Sequence, residues 1–374
     1  MTSTSEAAFA ARSRPSRLLE PGAAVTREEL QLAARNHGLP LEMLCEELTP
    51  PGLHYVLTHF DIPRIDPAAW RLEIGGALAR PVTLDLADLT RLPRRSVRVT
   101  LECAGNGRAR LDPRPESQPW LVEAVGTAEW TGTPLAPLLH SAGLSDAARD
   151  VVFTGADHGV ERGVEQDYQR GLPLVDALAE DVLIAYEMNS APLPPQHGYP
   201  ARLVVPGWYG MAHVKWLTRI DVITEPFTGY QNRVNYRVRV RQGEEPGEPV
   251  TRIEPRALLQ PPGFPDFMTR HRFVHPGRVP LRGRAWSGWG PITGVEVSAD
   301  GGDTWQEAQL GPEASGRWAW RRFSAVWDAR PGDHELCVRA RDATGRLQPL
   351  RTRWNVSGFV NNEVQRVPVT VLDA

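Results

Sequence analysis

Apolar and polar positions alternate with period two over short stretches along most of the chain, the signature of strands with one buried face. Residues 97–101 carry the clearest case, with Val97, Val99 and Leu101 on one face, running into the turn residues Ala104, Gly105, Asn106 and Gly107. Related patterns predict strands over 53–60, 70–74 and 151–154. The apolar runs 182–186 and 203–205 predict buried strands, with the stiff Pro192-Leu193-Pro194-Pro195 connector between them. Helical patterning is brief. Thr26 and Glu29 form a capping box ahead of Leu30, Leu32 and Ala33, and Arg35-Asn36-His37-Gly38 ends that helix. Further short helices are predicted over 84–91, 135–142 and 172–179, without the repeating strand-helix-strand rhythm of a parallel sheet.

Proline and glycine cluster between 242 and 265, and the patterning changes beyond them. Short strands are then predicted over 279–285, 294–298, 305–309, 318–327, 334–341 and 353–356, as in a β-sandwich of immunoglobulin type. The expected organisation is a flexible leader over 1–25, a mixed α and β domain over 26–250 and a sandwich over 255–374, an α+β chain overall. A length of 374 residues suits two domains.

Hydrophobic residues make up 41% and charged residues 23%, as in an ordinary globular protein. A formal net charge of -3 argues against a general nucleic-acid binder or a basic membrane-surface protein. No window approaches the roughly 20 apolar residues of a membrane span, and residues 1–22 hold neither a signal-type apolar stretch nor an Arg-Arg pair, so a cytoplasmic location is expected. Of the 42 basic residues only Lys215 is lysine. Either a compact ammonium is needed there or its survival is chance.

Cys45, Cys103 and Cys337 are spaced neither as a zinc signature nor as a disulfide framework. Cys45, near a helix end, and Cys337, in a sandwich strand, read as core fillers. Cys103 ends the 97–101 strand beside glycines that let a large ligand or metal approach; the alternative is an inert buried thiol.

The run Leu101-Glu102-Cys103-Ala104-Gly105-Asn106-Gly107-Arg108 resembles the molybdenum-ligand loop of the sulfite oxidase family. The segment from His197-Gly198-Tyr199-Pro200-Ala201-Arg202 through Pro206-Gly207, followed by Gly210 and Val214-Lys215-Trp216, is similar to the same family. So are Arg284-Ala285-Trp286-Ser287-Gly288, the stretch 295–305 and Trp354-Asn355 in its dimerisation sandwich. The likeness covers about residue 50 to the C-terminus. It implies a sulfite-oxidase-type molybdopterin domain followed by an immunoglobulin-like dimerisation domain, a molybdenum–molybdopterin cofactor and a homodimer.

By the same resemblance Cys103 is the metal ligand, a soft thiolate suited to molybdenum. Tyr55, His59, Asp157, His197, Arg202, His213, Val214 and Lys215 hold the cofactor, with Arg202 able to offer paired donors to a phosphate and Lys215 a point charge. Arg108 brings positive charge to the substrate pocket. Tyr236 matches the family's active-site tyrosine loosely, and a core or interface tyrosine is the alternative.

The chain departs from the family at two anion-binding positions. Leu57-Thr58 replace an arginine-asparagine pair before His59, and Ser357 replaces an arginine after Trp354-Asn355. Arg110 is a candidate substitute. Arg35-Asn36 resembles the missing pair but lies about twenty residues early, and a plain helix end is the preferred reading.

No cytochrome b5-like haem segment is recognised, so an external electron acceptor or donor is expected. The expected activity is oxygen-atom transfer to or from a small sulfur- or nitrogen-centred substrate or oxyanion, with weak turnover of sulfite. A sulfoxide-type reductase, a true sulfite dehydrogenase and a cofactor-free dimeric binding protein are the alternatives.

Overall fold

The computed structural model describes residues 4–13, 25–241, 243, 246–313 and 316–373. Two five-stranded sheets form the first part of the chain. One runs in the order Val82–Leu84, Leu72–Gly76, Leu217–Ile223, Asp150–Glu161, Val164–Pro173, and its Leu72–Gly76 and Leu217–Ile223 pair in parallel. In the other, Arg95–Glu102, Val125–Pro134, Leu183–Met188 and Ala191–Pro192 lie side by side, with Arg202–Val204 also on Leu183–Met188.

Arg95–Glu102 pairs with Val125–Pro134 from Arg95↔Gly132 to Glu102↔Val125, and the Cys103 N–H donates to Ala124 O at 2.9 Å, extending the ladder by one step. Along this strand the alternation of burial gives way to four buried residues in a row at the Cys103 end, because both faces of the sheet are covered there.

The second part is a sandwich. A four-stranded sheet, in the order Arg256–Leu259, Gly277–Trp286, Arg321–Ala329, Gln309–Leu310, faces a six-stranded one built on Gly332–Asp342 and Gln365–Val371. Leu281, Phe323, Leu336, Val338 and Val369 fill the space between. The larger hydrophobic core of the first part takes in Leu258, Trp286, Trp320 and Phe359, so the sandwich shares apolar packing with the sheets that carry Cys103.

Several elements differ from expectation. Residues 53–60 form no strand: their only ladder contact is the Val56 bridge to His37, while Thr58 N–H is taken by the Asn36 side chain and Leu57 O by Lys215. Side-chain partners replace a neighbouring strand here. Residues 353–356 are irregular because the Asn355 amide closes a loop onto Phe359, and Gln365–Val371 takes the strand position instead. The helix expected over 172–179 is confined to Leu174–Ala177, since residues through Pro173 belong to a strand. The strand expected over 305–309 is two fragments in different sheets, Gln306–Glu307 and Gln309–Leu310.

The expected flexible leader contains a helix, Thr4–Arg12. Alanine favours that conformation, and Phe9 packs edge-on against Phe273 at 4.8 Å. Arg12 pairs with Asp333, and Ser13 Oγ meets Asp266 at 2.7 Å. The remainder of the leader, 1–3 and 14–24, lies outside the described residues, as do Gln242, Glu244 and Glu245 of the Pro/Gly-rich segment. Cys45 is exposed at the end of a short 3-10 helix rather than a core filler, whereas Cys337 is fully buried in its strand. No helix among the described residues is long and apolar enough to cross a membrane.

Candidate active site

Immediately after the strand, the chain turns on Cys103 O accepting from Asn106 N–H at 3.0 Å. The turn is compact because Gly105 leaves room for the Arg108 guanidinium, which a Cβ would meet at 2.6 Å, and because Gly107 adopts φ +88°.

The turn is held from both sides. Asn106 donates to Glu102 at 3.0 Å and accepts from Ala124 N–H; Glu102 in turn pairs with buried Arg256 at 2.7 Å and accepts from the Trp286 indole at 2.7 Å. Arg256 also donates to Asn361 O, Asn361 donates to Gly107 O, and Val360 N–H donates to Ala104 O. Segment 355–362, beyond the sandwich strands that precede it, thus folds back over the cysteine loop. Cys103 ends up 7% exposed.

Two cavities meet at Cys103. The inner one, about 630 Å³, is lined by Tyr55, His59, Asp157, His197, Arg202, His213 and Lys215, together with His54, Tyr168, Gln196 and Met211, which sequence reasoning missed. Leu57, His59 and Tyr236 line both cavities. The outer cavity, about 1050 Å³, adds Arg108, Ser357, Trp120, Glu161, Arg162 and Phe359.

Val214 does not join either lining: it is fully buried in the main core, and its N–H and C=O are spent on Ala212 and Leu203. Arg110 points elsewhere, toward Glu363 at 3.6 Å. Arg35 ends its helix as expected, yet folds back: it donates to Phe60 O at 2.9 Å and lies 3.6 Å from Asp61, while Asn36 accepts from Thr58 N–H and donates to Gln118. These contacts brace the Leu57–His59 backbone without placing Arg35 in a cavity lining.

Inside the inner cavity most donors are already fixed. Arg202 stacks 4.7 Å over the Trp130 ring and donates to His197 O at 2.9 Å and His213 O at 3.1 Å. Lys215 Nζ donates to Leu57 O at 2.8 Å and Gln196 O at 3.3 Å. His213 accepts from Val205 N–H on Nδ1 and donates from Nε2 to Trp208 O, which fixes its neutral tautomer and spends both ring nitrogens on the loop.

Of the buried side-chain polar atoms without a partner among the described residues, three belong to residues that line this cavity: His54 Nε2, Asp157 Oδ1 and Arg202 Nε. Asp157 is aimed there by a bulge in Asp150–Glu161, where the register shifts between Thr154 and His158.

Burial dominates the electrostatics. It lowers His54 and His59 to about 4, His213 to about 3 and His197 to about 2, and pushes Asp157 up to about 6. Lys215 falls to about 7 through burial and its neighbour Arg202. The Cys103 thiol is raised by burial, against the pull of Arg108, the Gly105 N–H and the Trp120 indole. Outward from it, Arg108 is clamped by Ser357 O at 2.8 Å and Gln118 O at 3.1 Å, and Tyr236 meets His59 Nε2 at 2.7 Å and stacks on Phe359 at 5.0 Å. Leu57 and Ser357, where the resemblance leads one to expect arginines, do line the outer cavity and bring no cation to it.

A bare metal ion has no nest here: among the described residues no three His, Cys, Asp or Glu side chains converge. One thiolate beside a cavity with unsatisfied donors and acceptors suits a metal that arrives on an organic carrier supplying the other ligands. A pterin offers N–H and carbonyl groups for the orphaned histidine, carboxylate and guanidinium atoms, and its phosphate suits Arg202 and Lys215. The residues present fit a molybdopterin.

Comparison with known proteins places the chain by class. Residues 59–231 match the family model for an oxidoreductase molybdopterin binding domain, and 267–372 that for a Mo-co oxidoreductase dimerisation domain. The chain belongs to the sulfite oxidase family of molybdopterin oxidoreductases.

Among its relatives, mitochondrial sulfite oxidase of Mus musculus is 35% identical over 354 residues, 89% of this chain and 63% of that protein. An inducible nitrate reductase of Glycine max is 32% identical over 351 residues, 87% of this chain and 39% of that protein. The chain therefore spans under two thirds of the length of either. Of solved structures, the sulfane dehydrogenase SoxCD from Paracoccus pantotrophus superposes with a TM-score of 0.76 at 25% identity, covering 95% of this chain and 94% of that one.

Proposed function

We propose that the inner cavity holds a molybdenum–molybdopterin cofactor with Cys103 as its protein ligand, and that the outer cavity presents a small sulfur- or nitrogen-centred substrate to it. The observation that carries this reading is the position of Cys103 on the boundary of both cavities. When bound, the cofactor supplies two-electron oxygen-atom transfer, with electrons exchanged with an external partner.

The chain's own residues have separable tasks. Arg202 and Lys215 balance anionic charge in the inner cavity, and His54 and Asp157 offer acceptors to ring N–H groups. His213 acts indirectly, by holding the 205–208 turn and the Arg202 carbonyl partner in place. Arg108, kept rigid by two carbonyls, favours an oxygen-bearing or anionic group beside Cys103. Tyr236 and His59 share a hydrogen bond at the cavity junction, where a proton can be held or passed. The sandwich, matched as a dimerisation domain, joins two copies into a homodimer.

Sulfite is a poor substrate on this reading. Each missing charge-assisted hydrogen bond removes about 1.5–3 kcal/mol of anion binding, roughly tenfold or more in affinity. Steady-state assays with artificial electron donors and acceptors, run in both directions on sulfite and on sulfoxides, test the proposal. Weak sulfite turnover is expected, and the Leu57→Arg, Ser357→Arg double variant should lower its KM more than either change alone. Efficient wild-type turnover of sulfite at micromolar KM contradicts the reading of the pocket.

A further inference from the structure

The outer cavity holds a carboxylate that the proposed chemistry leaves unused. Glu161 lies at the end of Asp150–Glu161, next to the turn Arg162-Gly163, both with positive φ. Its oxygens are fixed by two neutral amides: Gln231 Nε2 donates to one and Asn235 Nδ2 to the other, each at 2.8 Å. Gln231 is itself 1% exposed, and its backbone oxygen is held by Arg170 at 2.6 Å, so the carboxylate stands on a rigid support. No cation pairs with it among the described residues, although Arg162 follows it in the chain. A carboxylate positioned by neutral donors keeps its full charge available to a ligand.

The charge count of the lining agrees. Arg108 and Arg162 contribute two positive charges and Glu116 and Glu161 two negative ones, so the cavity is dipolar rather than cationic. A compact dianion gains nothing from such a balance and is repelled by Glu161. Leu57, Trp120 and Phe359 among its walls provide apolar surface for carbon, which a bare oxyanion would leave unused.

Building on the oxygen-transfer reading of this site, we infer that its substrate is a zwitterionic organic sulfur compound, with Glu161 receiving the cationic group and Arg108 the anionic or oxo side. Glu161 is then a specificity-determining residue, outside the set that touches the cofactor.

Calorimetric titration of the holoenzyme with three probes tests this without turnover: S-methylcysteine sulfoxide as zwitterion, dimethyl sulfoxide as neutral molecule and sulfite as dianion. The zwitterion should bind about tenfold or more tightly than the other two. Glu161→Gln should weaken the zwitterion by about tenfold and change dimethyl sulfoxide by less than twofold. N-acetylation of the zwitterion removes its cation and should weaken wild-type binding by a similar factor, a comparison that holds even where the variant fails to fold. Tightest binding of sulfite, or equal binding of the acetylated and free compounds, overturns the inference. Charge-selective binding in a protein that oxidises or reduces no sulfur compound supports Glu161 as the receiver of the cationic group while contradicting the oxygen-transfer proposal, so the two fail separately.

Discussion

The role proposed for Cys103 rests on what lies around it rather than on its own ionisation, since burial raises the thiol's pKa and a bound metal would favour the thiolate. The neighbouring Gly105 has an equally local reason. A Cβ there would meet the Arg108 guanidinium at 2.6 Å, so Gly105→Ala should displace Arg108 and raise KM for any oxygen-bearing substrate about tenfold with kcat less affected; an unchanged KM would count against Arg108 as a substrate contact.

The buried histidines make a stability prediction. His54, His197 and His213 have folded values near 4, 2 and 3, below the 6.5 of an unfolded chain. Between those values the unfolded state binds more protons, so stability falls as pH drops below about 6.5, at up to about 1.4 kcal/mol per histidine for each unit of pH. Asp157, raised to about 6, opposes this as a single group. Urea midpoints should fall distinctly between pH 7.5 and pH 5; a flat profile would show that these rings are solvated.

At the scale of elements, the strand that delivers Cys103 could be read from the alternation of Val97, Val99 and Leu101, and the capped helix Arg27–Arg35 from Thr26 and Glu29, because both signals are local. Segment 53–60 could not be read this way. Its apolar pattern resembles a strand, but its backbone is claimed by Asn36 and Lys215 from 22 and 158 residues away, and His54 was lost with it. The Glu102–Arg256 pair was equally hidden, since neither residue carries a pattern and their meeting depends on the sandwich docking against the first part.

That pair is 1–2% exposed, and removing one member strands the other. Arg256→Met should therefore cost about 3–5 kcal/mol in urea unfolding and loosen the Cys103 turn through Asn361 and Asn106, whereas replacing both partners with apolar residues of similar volume should restore most of the stability. Equal losses in the single and double variants would refute the buried-pair account.

For the whole molecule, the sandwich does two things: its interior forms a separate core, and the 355–362 segment that precedes its last strand covers the cysteine loop. A homodimer through residues 255–374 is expected, and sedimentation at micromolar concentration should give the mass of two chains; a strict monomer would count against it. We propose that the paired cavities at Cys103 are built for a metal on an organic carrier. Elemental and pterin analysis of protein purified from cells that make the cofactor should give one molybdenum and one releasable pterin per chain, with activity lost and the fold kept in Cys103→Ser. Wild-type protein that is folded yet free of molybdenum under those conditions would contradict it.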